Sequence, residues 1–160
     1  MMQKIVVDIG EQTLSLFNNE ACFSTYAIST GKNGVGEAFG SEKTPRGHHI
    51  IRAFVGAHYP ENTVFVARRA TGEVYSEELG KQFPNRDWIL TRILWLSGKE
   101  IGKNRLSSCD TMRRYIYIHG TPDNTVLGKP GSRGCIRMRN NEIIELFDLV
   151  KPGTSVFINE

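Results

Sequence analysis

A chain of 160 residues is the size of one domain. Its composition, 39% hydrophobic and 23% charged, excludes a disordered chain. The formal net charge of +3 is spread among acids, without the lysine/arginine block that marks nucleic-acid or membrane binders. At this length roughly 70% of the unfolded surface can be buried, so folding needs no disulfide or metal.

The N-terminal stretch MMQKIVVDIGEQTLSLF has one early lysine but no apolar run of about 7–15 residues and no small-residue cleavage site. No apolar stretch approaches the ~20 residues needed to span a bilayer. The sequence as it stands reads as cytoplasmic; a periplasmic protein stripped of a signal peptide would read the same way. KIVVDI, TLSLF and ACFSTYAIS are short runs rich in β-branched and aromatic residues and predict strands. NNE at 18–20 predicts a hairpin turn. A glycine-rich loop, TGKNGVGEAFGSEKTPRG, follows, and HHIIRAFV and NTVFVARR continue the β pattern. WILTRILWL fits helix or strand by periodicity; its β-branched and aromatic content and the Ser97–Gly98 turn favour strand. RYIYIH predicts a strand with Tyr115, Tyr117 and His119 on one face. One helix is expected after a cap at Asn140 or Asn141, carrying Ile143, Ile144, Phe147 and Val150 and stopped by Pro152–Gly153. TSVFI closes the chain as a last strand. The sum is mainly β, a sandwich or partly closed barrel with one or two short helices.

The three cysteines, Cys22, Cys109 and Cys135, cannot all pair with each other, and no C-x-x-C exists. This excludes zinc-ribbon and thioredoxin arrangements and fits a reducing compartment, or one disulfide with a free thiol. Cys22 is expected in the core and Cys109 on the surface or in a loop. Cys135 is different. It sits in SRGCIRM, after a glycine and between Arg133 and Arg137. Positive charge or a histidine nearby lowers a thiol pKa, and a nucleophilic cysteine needs a base held by a third group. His119, sixteen residues upstream, ends a predicted strand. The intervening GTPDNTVLGKPGSR can fold back, and the Gly120 carbonyl is accessible to the imidazole. Gly134 lets the backbone turn and aim N–H groups at an oxyanion. Arg137 is a fork donor suited to a carboxylate.

HGTPDNTVLGKPGSRGCIRM resembles the signature of the YkuD-type L,D-transpeptidase catalytic domain, in which a histidine and a loop precede Ser/Thr-His-Gly-Cys, an apolar residue and Arg. IVVDIGEQTLSLF resembles that family's first hairpin, and STGKNGVGEAFGSEKTPRGHHII its STG…TP-x-G segment. The resemblance covers nearly the whole chain, so residues 1–160 are expected to form a single catalytic domain. It implies a YkuD-like β-sandwich and a thioester acyl-enzyme formed on a peptidoglycan stem tetrapeptide with loss of D-alanine. It makes Cys135 the nucleophile and His119 the base, oriented by the Gly120 carbonyl. Gly134 and Cys135 N–H groups become oxyanion donors. Arg137 and Arg133 are assigned to substrate binding, and Ser132 supports the loop. The motif histidine is Arg133 here. Arginine cannot shuttle protons near neutral pH, so an altered pH dependence or substrate preference is expected.

With no export signal in view, the expected reaction is L,D-carboxypeptidase trimming of recycled muropeptides in the cytoplasm. The alternatives are a periplasmic L,D-transpeptidase forming 3-3 crosslinks, or a non-catalytic muropeptide-binding module. A muropeptide substrate and carbapenem inhibition are expected, with no cofactor, metal, nucleic acid or membrane. Of His48 and His49, at most one can face the cleft. His58 is read as a loop residue, and Trp88 and Trp95 as core.

Overall fold

The computed structural model describes residues 2–160; Met1 lies outside the described residues. The first three predicted strands form as β1 (Gln3–Asp8), β2 (Thr13–Asn18) and β3 (Ala21–Ala27), an antiparallel meander. Alternation sets the buried face: Leu14 and Leu16 are buried between half-exposed Thr13, Ser15 and Phe17. The last strand, β10 (Ser155–Asn159), returns to lie parallel to β1 and antiparallel to β4 (Gly47–Val55). The chain's two ends are thus tied into one sheet.

WILTRILWL belongs to β7 (Ile89–Gly98), a strand buried along nearly its whole length. That burial explains why its apolar run lacks a period of two. β7 is the hub of the sheet. It pairs antiparallel with β4, with β5 (Thr63–Val66) and with β8 (Tyr117–Gly120). β6 (Arg69–Val74) pairs with β5, and β9 (Ile136–Met138) lies parallel to β8. All ten strands belong to one mixed sheet, β3-β2-β1-β10-β4-β7-β5-β6, with β8 and β9 branching from β7.

Two helices complete the fold. α1 (Glu77–Gln82), not predicted individually, starts at Ser76, whose hydroxyl accepts from Leu79 N. α2 (Asn140–Leu149) is the expected helix, but its cap differs. Arg139 is the N-cap and contributes no side-chain bond. Asn140 is the first helical residue and turns its side chain inward: its Nδ2 donates to Asn62 Oδ1 at 3.0 Å, and its Oδ1 accepts from Thr91 Oγ1 at 2.6 Å. Ile143, Leu146 and Phe147 of α2 close the main core with Ile5, Leu94 and Ile118. Each buried Ile or Leu contributes about 1.5–3 kcal/mol relative to exposure.

Three local expectations are corrected. β8 starts at Tyr117; Tyr115 has φ of 56° and its side chain is exposed, because the chain turns there before entering the sheet. Cys22 is exposed, because the outer half of β3 lies at the sheet edge with nothing packed on it. Trp95 is half-buried, whereas Trp88 is in a small core cluster with Val64 and Leu90.

Candidate active site

β8 and β9 bring the paired motif together. Their parallel register sets His119 opposite Arg137 and Ile118 opposite Ile136. Cys135, one residue before β9, therefore falls beside Tyr117. The thiol is gripped by backbone: Tyr117 N–H donates to Sγ at 3.3 Å, and Sγ–H donates to Tyr115 O at 3.3 Å. His119 is two residues along β8, on the face shared with Tyr117, and is 1% exposed. Its Nδ1 lies 2.6 Å from Gly120 O. A carbonyl can only accept, so Nδ1 carries the proton and Nε2 keeps a lone pair. Among the described residues, no hydrogen bond joins Cys135 Sγ to His119. The thiol proton points instead at Tyr115.

Burial dominates the electrostatics. It pushes the Cys135 thiol up to about 12; the Tyr117 N–H and the guanidinium groups of Arg137 and Arg114 pull it back, and Asp87 raises it further. Burial also holds His119 below its ordinary value, against the opposing pull of Asp87 and the Gly120 carbonyl. Both shifts favour the uncharged forms, thiol and imidazole. Arginines on either side in sequence do not by themselves make a thiolate here.

Each arginine is engaged elsewhere. Arg137 donates through Nη1 to Gly131 O at 3.0 Å and through Nη2 to Asp87 Oδ1 at 3.3 Å, and its buried Nε has no partner. Arg133 is exposed and donates to Asn85 O at 2.9 Å. Ser132 braces the loop: its Oγ donates to Cys135 O at 2.6 Å and accepts from Gly134 N at 3.1 Å. The Gly134 N–H is thus occupied inside the loop in this state. Gly134 has φ of 119°, and a Cβ there would sit 3.1 Å from Lys43 O, so glycine is required at this position.

The STG…TP-x-G segment forms the other wall. Thr44 Oγ1 donates to Gly134 O at 2.9 Å and accepts from Gly31 N at 2.8 Å. Thr30 O accepts from Gly131 and Ser132 N–H, and Ser29 exchanges both backbone bonds with Arg137. Asp87, Arg114 and Arg68 were not singled out from the sequence. None lies in the cysteine motif, and only pairing across the sheet brings them close. His49 was considered for the cleft; it is buried with its ring nitrogens on Gly47 O at 3.0 Å and Thr111 Oγ1 at 2.9 Å. His48 is exposed and stacks on Phe157. His58 is an exposed loop residue with φ of 71°. A cavity of about 430 Å³ is lined by Arg137, Thr121, Arg86, Lys81, Trp88 and Tyr75.

Comparison with known proteins bears on this arrangement. The family model described as "L,D-transpeptidase catalytic domain" (YkuD) matches residues 2–158. A Bacillus subtilis (strain 168) protein named "Putative L,D-transpeptidase YkuD" is 47% identical over 155 residues, 97% of this chain and 65% of the relative. The protein of the same name from Bacillus licheniformis is 28% identical over 97% of this chain and 64% of its own length. The chain therefore spans about 65% of the length of these relatives. The fold matches L,D-transpeptidase 3 from Mycobacterium tuberculosis with a TM-score of 0.61 at 14% identity, over 99% of this chain and 61% of that one. An L,D-transpeptidase from Mycobacterium smegmatis gives 0.59 at 17% identity, over 99% and 59%. A β-rich sheet with this branched topology, a histidine on β8 with a cysteine just before the adjacent β9, and a family match across the chain lead to one conclusion: the protein belongs to the YkuD family of L,D-transpeptidase catalytic domains.

Proposed function

We propose that Cys135 transfers an acyl group from a peptidoglycan stem tetrapeptide, releasing its terminal D-alanine. The supporting observation is the Nδ1 contact of His119 with Gly120 O, which leaves Nε2 as an acceptor on the same strand whose Tyr117 N–H holds the thiol. The thiol first swings from Tyr115 O toward Nε2. As Sγ attacks the carbonyl carbon between the third residue and D-alanine, its proton passes to Nε2. The negative charge on the tetrahedral oxygen falls to the Cys135 N–H, joined by the Gly134 N–H once Ser132 Oγ releases it. Collapse breaks the C–N bond, and the imidazolium returns its proton to the departing amine. A thioester remains. An incoming amine or water then gives up a proton to Nε2 as it attacks, and Cys135 is regenerated.

The partition between acceptors separates the readings. An amine from a second stem gives a crosslink, the activity named for the 47%-identical relative. Water gives the tripeptide, the carboxypeptidase outcome expected for a cytoplasmic enzyme. Arg137, which lines a cavity together with Lys81 and Arg86, is suited to a substrate carboxylate. Related folds include an LD transpeptidase in complex with imipenem and a faropenem-derived adduct of L,D-transpeptidase 3. Acylation by a carbapenem is accordingly expected here.

The test is incubation with murein tetrapeptide, read by mass spectrometry beside Cys135→Ala. Loss of D-alanine by the wild type alone supports the proposal. A crosslinked dimer identifies transfer to an amine, and tripeptide alone identifies hydrolysis. Equal products from wild type and Cys135→Ala would reject it.

A further inference from the structure

The hairpin joining β5 to β6 turns through two residues, Ala67 and Arg68, between the paired Val66 and Arg69. Their φ angles are 49° and 63°. Two-residue hairpins take this geometry most readily with Asn, Asp or Gly, and neither residue is one of these. An L-residue with a full side chain is held in the left-handed region only when its surroundings over-determine it. Those surroundings are visible at Arg68.

The Arg68 guanidinium lies over two neighbouring rings, 4.8 Å from the Trp95 centroid and 4.6 Å from the Tyr115 centroid. Its Nη1 donates to the Tyr117 hydroxyl at 3.0 Å. Tyr115 and Tyr117 are the two residues whose backbone grips the Cys135 thiol, one as acceptor and one as donor. Tyr117 is buried and paired with Trp95 in the sheet. Tyr115 is 52% exposed, lies outside β8 and has φ of 56°. Its ring meets Trp95 directly, the centroids being 6.1 Å apart, and the guanidinium packs over both rings.

We propose that Arg68 is a positioning residue for Cys135: by clamping Tyr115 against Trp95 and bonding Tyr117, it fixes the carbonyl and the N–H that hold the thiol. Arg68 acts through these residues. The groups that face the thiol electrostatically are Tyr117, Asp87, Arg137 and Arg114. The consequence for turnover rests on the acyl-transfer reading above; the consequence for the thiol itself does not.

The experiment measures iodoacetamide labelling of Cys135 at pH 7.5, located by peptide mass spectrometry, in the wild type, Arg68→Met and Arg68→Lys. Methionine keeps an apolar stem against the rings but loses the charge and the donor. Lysine keeps both. Arg68→Met should label about tenfold faster, as the thiol leaves a loosened Tyr115 carbonyl, while its turnover of tetrapeptide falls about tenfold at unchanged KM. Arg68→Lys should return labelling to within about threefold of wild type. The proposal is overturned if Arg68→Met labels at the wild-type rate, or if Arg68→Lys labels as fast as Arg68→Met. It is equally overturned if faster labelling follows only from a lowered thermal midpoint. Labelling that responds as expected in a protein that turns over no tetrapeptide upholds the positioning role and rejects acyl transfer instead.

Discussion

The Nδ1 atom of His119 lies 2.6 Å from the carbonyl oxygen of its own successor, Gly120. One peptide unit therefore supplies both the imidazole's orientation and its tautomer. Burial holds this histidine below the ordinary value of 6.5, and the nearby Asp87 carboxylate opposes that shift. The neutral form, able to accept the thiol proton, thus persists through pH 6.5. The rate of carbapenem acylation should hold to that pH and decline only at lower pH. Asp87→Asn removes a group that favours the imidazolium, so its acid limb should lie lower still. A wild-type limb centred above pH 6.5, or an Asp87→Asn limb displaced upward, contradicts this account.

Stability should follow pH in the same direction. His49 is 1% exposed, and burial lowers it from 6.5 to about 4. The unfolded chain takes up its proton near 6.5, the folded chain only near 4. Stability from this group is complete above pH 6.5 and lost as pH falls toward 4, by about 3 kcal/mol over the window. His119, also lowered by burial, adds in the same sense. Urea unfolding at pH 7.5, 5.5 and 4.5 should show a falling midpoint. An unchanged midpoint between the first two values would rule out neutral buried histidines.

Thiol reactivity is expected to invert the order suggested by sequence. Cys22, placed on an exposed strand edge, is open to reagent. Cys135 is half-buried and hydrogen-bonded to the backbone of Tyr115 and Tyr117, and desolvation pushes its thiol pKa up to about 12. Limiting iodoacetamide at pH 7.5 should modify Cys22 first and Cys135 several-fold more slowly. Prior labelling of Cys135 would mean that a thiolate exists in the resting site.

Gly120 leaves no room for a side chain. A Cβ there would collide with Asn140 Oδ1 and lie 2.7 Å from Leu90 O and 3.0 Å from Thr91 Cβ. Leu90 belongs to the hub strand, and Asn140 is buried in the Asn62–Thr91 network, so neither can retreat freely. Gly120→Ala should cost about 1–3 kcal/mol of stability by overpacking. It should also lower acylation at least about tenfold, by moving the carbonyl that orients His119. Chemical denaturation and carbapenem acylation measure the two effects. A variant of wild-type stability would show that the strand and helix yield more easily than this packing implies.

Much of the molecule was legible along the chain because its signals are local. Period-two burial in TLSLF and the turn at NNE depend on residues a few positions apart and formed where expected; α2 formed too, but its buried face takes Leu146 where Ile144 was expected, and Ile144 is half-buried. The glycine- and proline-rich loop between His119 and Cys135 was expected to fold back, and it does, setting Cys135 just before β9 beside β8. What could not be read depends on partners distant in sequence. Asn140 had the residue type of a helix cap, but its hydrogen bonds go to Asn62 and Thr91, groups that only the sheet brings near. Cys22 lay in an apparently apolar strand, yet being outermost is a property of sheet order. Arg133 and Arg137 looked poised to activate the thiol, but they reach Asn85 and Asp87 while burial governs Cys135. Residue identity and spacing were enough for most strands, for α2 and for the family resemblance with its cysteine–histidine motif; β6, β9 and α1 were not read from them. Exposure, the direction of the pKa shifts and the side chains that hold the reacting atoms in place emerged from the folded arrangement. Those depend on desolvation and on contacts between residues that the chain keeps far apart.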